Sequence, residues 1–172
     1  MTGPVLRTER LTLSRPGPEA VPGAVAFLCS ERARHMGIMT PEEAEADMRG
    51  NVLGMWAAKG FGLFALRLRG RDEVIGLASP WEPEGHPEPE IAWNLWDAGY
   101  EGRGLATEAA RAARAWAFRT QGWDTALSYT HPENHASHRV AARLGAVRDD
   151  RAPCPYPRPV AIWRHSRGEA LA

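Results

Sequence analysis

Gly99, Gly102 and Gly104 lie close together in the run Gly99-Tyr100-Glu101-Gly102-Arg103-Gly104-Leu105-Ala106-Thr107, between a strand-like segment and an alanine-rich helical one. Backbone without Cβ atoms approaches a ligand closely. The free amides at the start of the following helix, reinforced by its dipole, make an anion site suited to a pyrophosphate. The pattern is not a P-loop, because no Gly-Lys-Ser/Thr follows, and it is not the dinucleotide fingerprint, because Thr107 stands where a third glycine belongs. A turn of this composition also serves the tight packing of a helix on a strand, and at this level both readings stand. Glu88 and Glu90 fall on one face of the strand leading into the loop. They are either proton acceptors or solvated edge carboxylates beside a proline-rich loop. His131, His135 and His138, with Cys154, straddle a turn at Pro132 and match no common zinc spacing, so no metal site is expected. Cys29 and Cys154 have no histidine placed beside them, so a covalent thiol route is not expected either.

These groups need a strand ahead of the loop and helices behind it. Glu90-Ile91-Ala92-Trp93-Asn94-Leu95-Trp96 reads as that strand, with Trp96, and Trp81 upstream, as the tryptophans nearest a cleft. From Gly104 a long helix places Ala106, Ala109, Ala110, Ala113, Trp116 and Ala117 on one face and Glu108, Arg111 and Arg114 opposite, predicting a smooth side against a sheet. Residues 126–130 predict another strand. Asn134 to Leu144 predicts a second amphipathic helix stopped by Gly145. Upstream, Leu11-Thr12-Leu13-Ser14 alternates as a strand, Glu19 to Ser30 reads as helical, and Thr40-Pro41-Glu42-Glu43 has the residues of a capping box opening a helix to about Ala58. Residues 61–69 and 73–78 predict an antiparallel pair joined by Gly70-Arg71-Asp72, and residues 160–164 a last strand. This is a mixed α and β order around one sheet.

The 172 residues suit one domain, taken as 1–172, with no internal repeat. Lys+Arg and Asp+Glu balance at 21 each, and Lys59 is the single lysine, so general polyanion coating is disfavoured. Arg111, Arg114, Arg139 and Arg143 are the residues that could form a basic patch, and nucleic acid is not the expected partner. Two distant cysteines give no disulfide framework, and no apolar run is long enough for a membrane span. Met1-Thr2-Gly3-Pro4-Val5-Leu6-Arg7 lacks the basic and apolar order of a secretory leader, and a cytoplasmic location is expected.

Gly104-Leu105-Ala106, at a strand-to-helix junction, resembles the end of the acetyl-CoA loop of the GNAT superfamily of N-acetyltransferases. The chain is more specifically similar to the RimJ/RimL-type branch, the ribosomal-protein N-terminal acetyltransferases. The likeness runs in family order through Leu6 to Leu13, Val74-Ile75-Gly76, Glu90-Ile91-Ala92-Trp93, Gly102 to Ala109, and Asn134 to Gly145. It implies an α/β (α+β) fold with a central, mostly antiparallel twisted sheet, flanked by helices and splayed at the cofactor site near Leu95 and Tyr129.

The resemblance further implies acetyl-CoA as cosubstrate, no metal, and a primary amine as acceptor, on a protein N-terminus or a small molecule, attacked directly in a ternary complex. The amides of Gly102, Arg103, Gly104, Leu105, Ala106 and Thr107 would hold the pyrophosphate, with Arg103 adding charge, and the backbone at Leu95 and Trp96 would meet the pantetheine arm and polarise the thioester carbonyl. Asn134 would bond the cofactor arm, and Ser137 would protonate the leaving thiolate, although both residue types also serve as helix caps. An amine acceptor needs a base at neutral pH, for which Glu90 is the candidate, with Glu88 or a water relay as the alternatives. Three departures stand out. Glu101 replaces the usual Gln or Arg at the start of the loop, the strand-to-loop spacing is one residue longer than the common form, and Ala141 stands where many members carry an acidic tyrosine. A catalytically silent CoA-binding module of the same fold is the alternative function, and the chain would act as a monomer or homodimer.

Overall fold

The computed structural model describes residues 3–168; Met1 and Thr2 of the segment read for a leader, and the last residues of the 1–172 span, lie outside them. Five strands form one antiparallel sheet in chain order: β1 (Val5–Arg7), β2 (Leu11–Ser14), β3 (Phe64–Leu68), β4 (Gly76–Ala78) and β5 (Trp93–Leu95). Three more form a second antiparallel sheet in the order β6 (Thr125–Thr130), β8 (Ala161–Ser166), β7 (Val147–Arg148). The two-residue β7 and the edge strand β1 carry too little alternation to be read as strands from sequence.

Neighbouring residues of a strand face opposite sides, and here both sides of the first sheet are covered. Leu11, Leu13, Phe64 and Leu66 pack with Leu105, Ala109 and Ala113 of α4 (Leu105–Gln121). Ala65 and Leu77 pack on the other side with Val21 and Ala24 of α1 (Val21–Leu28) and with Met48 and Val52. The expected capping box opens α2 (Pro41–Asp47): Thr40 accepts from the Glu43 amide and Glu43 accepts from the Thr40 amide. The helical path then runs through a π-helical stretch, Met48–Leu53, into α3 (Gly54–Lys59), so the helix expected to about Ala58 is present with a widened middle. The helical reading of residues 19–30 divides into a 3-10 turn at Pro18–Ala20 and α1.

Ala109, Ala110, Ala113 and Ala117 of α4 are fully buried, as the alanine face requires. Arg114 corrects the pattern. Expected on the outward face, it is 2% exposed and donates to the Leu144 carbonyl at 2.6 Å, where α5 (His135–Arg143) ends against α4. A helix covered on two sides has no outward face there, and a guanidinium fits where it caps another helix's carbonyls. α5 closes in a Schellman motif, with Gly145 donating to Ala142 and Ala146 to Ala141, and Gly145 takes φ +76°.

The sheets join through a short parallel contact between the segment before β5 and β6. Leu127 donates to Pro89 (2.8 Å) and Ile91 donates to Leu127 (2.7 Å). A continuing parallel ladder would next give the Ile91 carbonyl the Tyr129 amide. The Ser128 hydroxyl takes that carbonyl instead, and the ladder stops. Ser128 is itself held by His165 Nε2 at 2.8 Å, and Arg114 Nη1 lies 3.3 Å from His165 Nδ1. Arginine only donates, so His165 Nδ1 accepts, Nε2 carries the proton to Ser128, and Ser128 donates to Ile91. Beyond this vertex β5 stays with β4, β6 stays with β8, and a wedge opens between them. Among the described residues no helix is long and apolar enough to cross a membrane.

Candidate active site

The wedge is part of a cavity of about 930 Å³. At one end the glycine-rich segment turns through a 3-10 turn at Ala98–Tyr100, then places Gly102 (φ +70°) and Gly104 (φ +77°) in the left-handed region before α4 begins. Only glycine adopts that conformation without steric cost. The first backbone bond of the helix is Glu108 N–H to Gly104 O, and the amides of 102–107 donate to no acceptor among the described residues. Gly102, Gly104, Leu105, Ala106 and Thr107 all line the cavity. The Thr107 hydroxyl is buried there without a hydrogen-bond partner among the described residues. Arg103 is not among these lining residues: its guanidinium lies toward the Gly99 carbonyl of the same loop at 3.5 Å.

Two distant residues support this loop. Arg10 donates to the Arg103 carbonyl at 2.7 Å and to Glu108, which also accepts from Thr8. Burial alone would push the Glu108 carboxyl up, and those hydrogen bonds outweigh it and hold it below the usual range. Arg32 meets Glu101 at 2.7 Å and donates to the carbonyls of Leu95 (3.2 Å) and Trp96 (3.1 Å). The carboxylate that departs from the common loop pattern is therefore paired and turned to a guanidinium. No local signal marks Arg32, which lies 69 residues from its partner.

The wall of the wedge is the free edge of β5. Trp96 N–H donates to Ile75 O and Ser79 N–H to Ala92 O, so in the antiparallel register Ala92, Asn94 and Trp96 turn their backbone groups to β4. The alternate residues Trp93 and Leu95 turn theirs into the gap. Of the expected pair, Leu95 presents its amide to the cavity, and the Trp96 amide is already committed; Trp96 contributes its ring.

Glu90 stands where the two sheets meet and is 6% exposed, which removes the solvated-edge reading. Burial raises its carboxyl to about 8, opposed by the hydrogen bond that Tyr156 O–H donates to Oε2 at 3.4 Å. His86 Nδ1 lies 3.6 Å from the same oxygen, and its ring meets Tyr129 and Tyr156 edge to face. Glu88 is clamped by Arg164 at 2.8 and 3.1 Å, an ion pair already complete. On the far wall Asn134 caps α5, its Oδ1 accepting from Ser137 N–H at 3.1 Å, so the cap reading holds for that oxygen. Ser137 Oγ accepts from Trp93 Nε1 at 3.3 Å. Glu90, Leu95, Trp96, Asn134 and Ser137, from two separate stretches of chain, all line the one cavity. His86, Tyr156 and Arg32 also line it, and the sequence did not single them out.

The sequence pattern described as the acetyltransferase (GNAT) domain matches residues 10–147, from the Arg10 brace through the loop and both site helices. The chain belongs to the GNAT acetyltransferase family. Over 113 residues it is 31% identical to the uncharacterized N-acetyltransferase YnaD of Bacillus subtilis (strain 168), covering 66% of this chain and 63% of that protein. The match thus spans somewhat under two thirds of that relative's length. The structure is similar to the crystal structure of the acetyltransferase from Agrobacterium tumefaciens str. C58, with a TM-score of 0.88 and 34% identity over 96% of this chain and 95% of the other. RimL, the ribosomal L7/L12 alpha-N-protein acetyltransferase solved with coenzyme A, shares the fold at a TM-score of 0.71 and 17% identity, covering 95% of this chain and 98% of that one. In this GNAT chain the splayed sheet and its flanking helices are those the resemblance implied.

Proposed function

We propose that the chain transfers an acetyl group from acetyl-CoA to a primary amine, by direct attack with both substrates bound. One observation carries this reading: unpaired amides at the α4 start, an unpaired strand edge at Leu95 and a buried carboxyl at Glu90 open on one continuous cavity. The orphaned amides and the partnerless Thr107 hydroxyl fit a diphosphate, which needs several donors and gains from the helix dipole. The β5 edge fits an amide-bearing arm that adds to the sheet as an extra strand would.

Acetyl-CoA supplies an acetyl thioester already activated for attack. The Trp93 and Leu95 amides supply donors for the carbonyl oxygen as it gains charge, in a site that the core walls off from bulk water. Glu90, when ionised, removes the proton from the ammonium end of the acceptor. Ser137 supplies a proton to the leaving sulfur, its lone pair engaged by the Trp93 indole and its hydroxyl proton free. Asn134 keeps its amide nitrogen for the cofactor arm while its oxygen caps α5. The acceptor is an amine on a protein N-terminus or a small molecule.

Calorimetric titration with acetyl-CoA and desulfo-CoA, followed by thiol release over a panel of peptides, polyamines and small amines, tests the proposal. Micromolar binding with turnover of a panel member supports it, and binding with no turnover of any amine points to the silent module. Ala106→Glu sets a carboxylate into the helix start without backbone strain and is expected to weaken acetyl-CoA binding at least about tenfold. Unchanged affinity by calorimetry would take the helix start out of the site. Ser137→Ala is expected to lower kcat about 10- to 100-fold with little change in KM for acetyl-CoA, and equal kcat values would remove its role as acid.

A further inference from the structure

His86 is a titratable side chain of the cavity that the reading above leaves unused, and its surroundings are built rather than incidental. Its side chain is 11% exposed, and Nδ1 is buried with no hydrogen-bond partner among the described residues. A buried polar nitrogen without a partner is costly, so it needs an explanation. Glu90 Oε2 lies 3.6 Å from it, outside hydrogen-bond reach but within the range that closes when a ligand seats. Tyr129 and Tyr156, in contact with each other, both meet the imidazole edge to face, and the ring lines the cavity. With Nδ1 turned to Glu90, Nε2 is the ring nitrogen left to face the cavity that His86 lines.

Resting on the acetyl-transfer reading, we propose that His86 and Glu90 act as one proton-holding unit, in which Nε2 of His86 receives the proton from the acceptor ammonium and Glu90 stores it. In the receptive state Glu90 is ionised, Nδ1 carries hydrogen toward Oε2, and Nε2 has its lone pair free. An ammonium proton passes to Nε2, and the imidazolium so formed passes its Nδ1 proton to Oε2. One proton has entered, the amine is free to attack, and the pair ends as a neutral imidazole beside a neutral carboxyl. Neither final charge is left exposed to the apolar wall, which a lone buried carboxylate or imidazolium would not achieve.

The charged and titratable groups around the pair leave this exchange to the two residues. From β6 and from the loop before β8, Tyr129 and Tyr156 present phenols that burial pushes above their usual range, so both stay neutral. Glu88 is held by Arg164, Arg158 lies on the Tyr156 ring with its Nη1 on the His35 carbonyl, and Cys154 is exposed. Burial lowers His86 and raises Glu90 to about 8, above the ordinary histidine value, so the proton taken up by the pair comes to rest on Glu90.

The deciding experiment is a pH titration of the ring nitrogens of His86 by nuclear magnetic resonance in the ligand-free full chain, with Glu90→Gln and His86→Gln as references. We expect the His86 signals to show the Nδ1–H tautomer at high pH and a step near pH 8 that disappears in Glu90→Gln. A ring that stays in the Nε2–H form, with no step where Glu90 titrates, would overturn the pairing. Kinetically, His86→Gln is expected to lower kcat/KM at pH 7 about 10- to 100-fold for a peptide with a free α-amino group, and far less for hydroxylamine, which is unprotonated there. Equal losses for both would make His86 a packing residue. If the unsubstituted chain acetylates no amine of the panel above, the acetyl-transfer reading fails, while the titration still decides the pairing.

Discussion

Glu90→Gln is expected to lower kcat/KM for a basic amine by about 10²- to 10⁴-fold above pH 8, the range for loss of a positioned general base. The substitution keeps the size of the side chain, its place at the vertex of the wedge and its capacity to accept from Tyr156. It removes only the ability to hold and release a proton. Because burial raises Glu90 to about 8, roughly a tenth of the unsubstituted protein is ionised at pH 7. Its kcat/KM is therefore expected to climb through pH 8 and level off, whereas that of Glu90→Gln stays low and follows only the ionisation of the amine. At pH 7 the difference between the two narrows by about the same factor of ten. Thiol-release rates from pH 6 to 9.5 check this, with acetyl-CoA affinity measured alongside by calorimetry. A profile of unchanged shape and height in the variant would take Glu90 out of the chemistry.

The same burial is expected to give the protein an unusual stability profile. Glu90 is raised in the folded state, so the folded chain binds the extra proton between about 4.5 and 8. Its contribution is fully present below 4.5 and is lost at up to about 1.4 kcal/mol per pH unit as pH rises to 8. His165 is lowered from 6.5 to about 3, by burial first and by the Arg114 charge second. Its contribution is present above 6.5 and is lost as pH falls toward 3, at a similar slope. Between 4.5 and 6.5 the two slopes oppose each other. The partly buried His35, His86 and His138, all lowered chiefly by burial, add to the acid side and move the maximum to the upper end of that window. Thermal melts from pH 4 to 9 are expected to show a maximum near pH 6 and a clear fall from 6.5 to 8. Glu90→Gln should abolish the fall on the alkaline side and melt higher than the unsubstituted chain at pH 8. A melting temperature that is flat from 6.5 to 8 in both proteins would contradict a buried, protonated Glu90.

Much of the fold was legible because it is written in local terms. Alternation in Leu11-Thr12-Leu13-Ser14 assigns two side chains to the core before any partner is known, and both are fully buried. The Thr40 and Glu43 box, the glycines at 104 and 145, and the alanine face of α4 each specify a helix end or face within a few residues. The anion-binding turn belongs to the same class, since left-handed glycines and orphan amides at a helix start are properties of one short segment.

What tertiary structure alone decided involves pairs far apart in the chain. Arg32 pairs with Glu101, and Arg10 supports the loop across 93 residues, with no sequence spacing to announce either. Arg103 lays its guanidinium toward the Gly99 carbonyl of its own loop, because a long side chain follows the acceptors that its surroundings provide. The commitment of the Trp96 amide depends on the register between β4 and β5, which a one-residue slip would reverse. Glu90 could be named from its strand, but whether it was a solvated edge group or a buried acid depended on Tyr156 and His86 closing around it. Composition and periodicity encode which face a residue turns to. They do not encode which distant groups share that face, and burial, proton affinity and the opening of the wedge at Ser128 follow from that sharing.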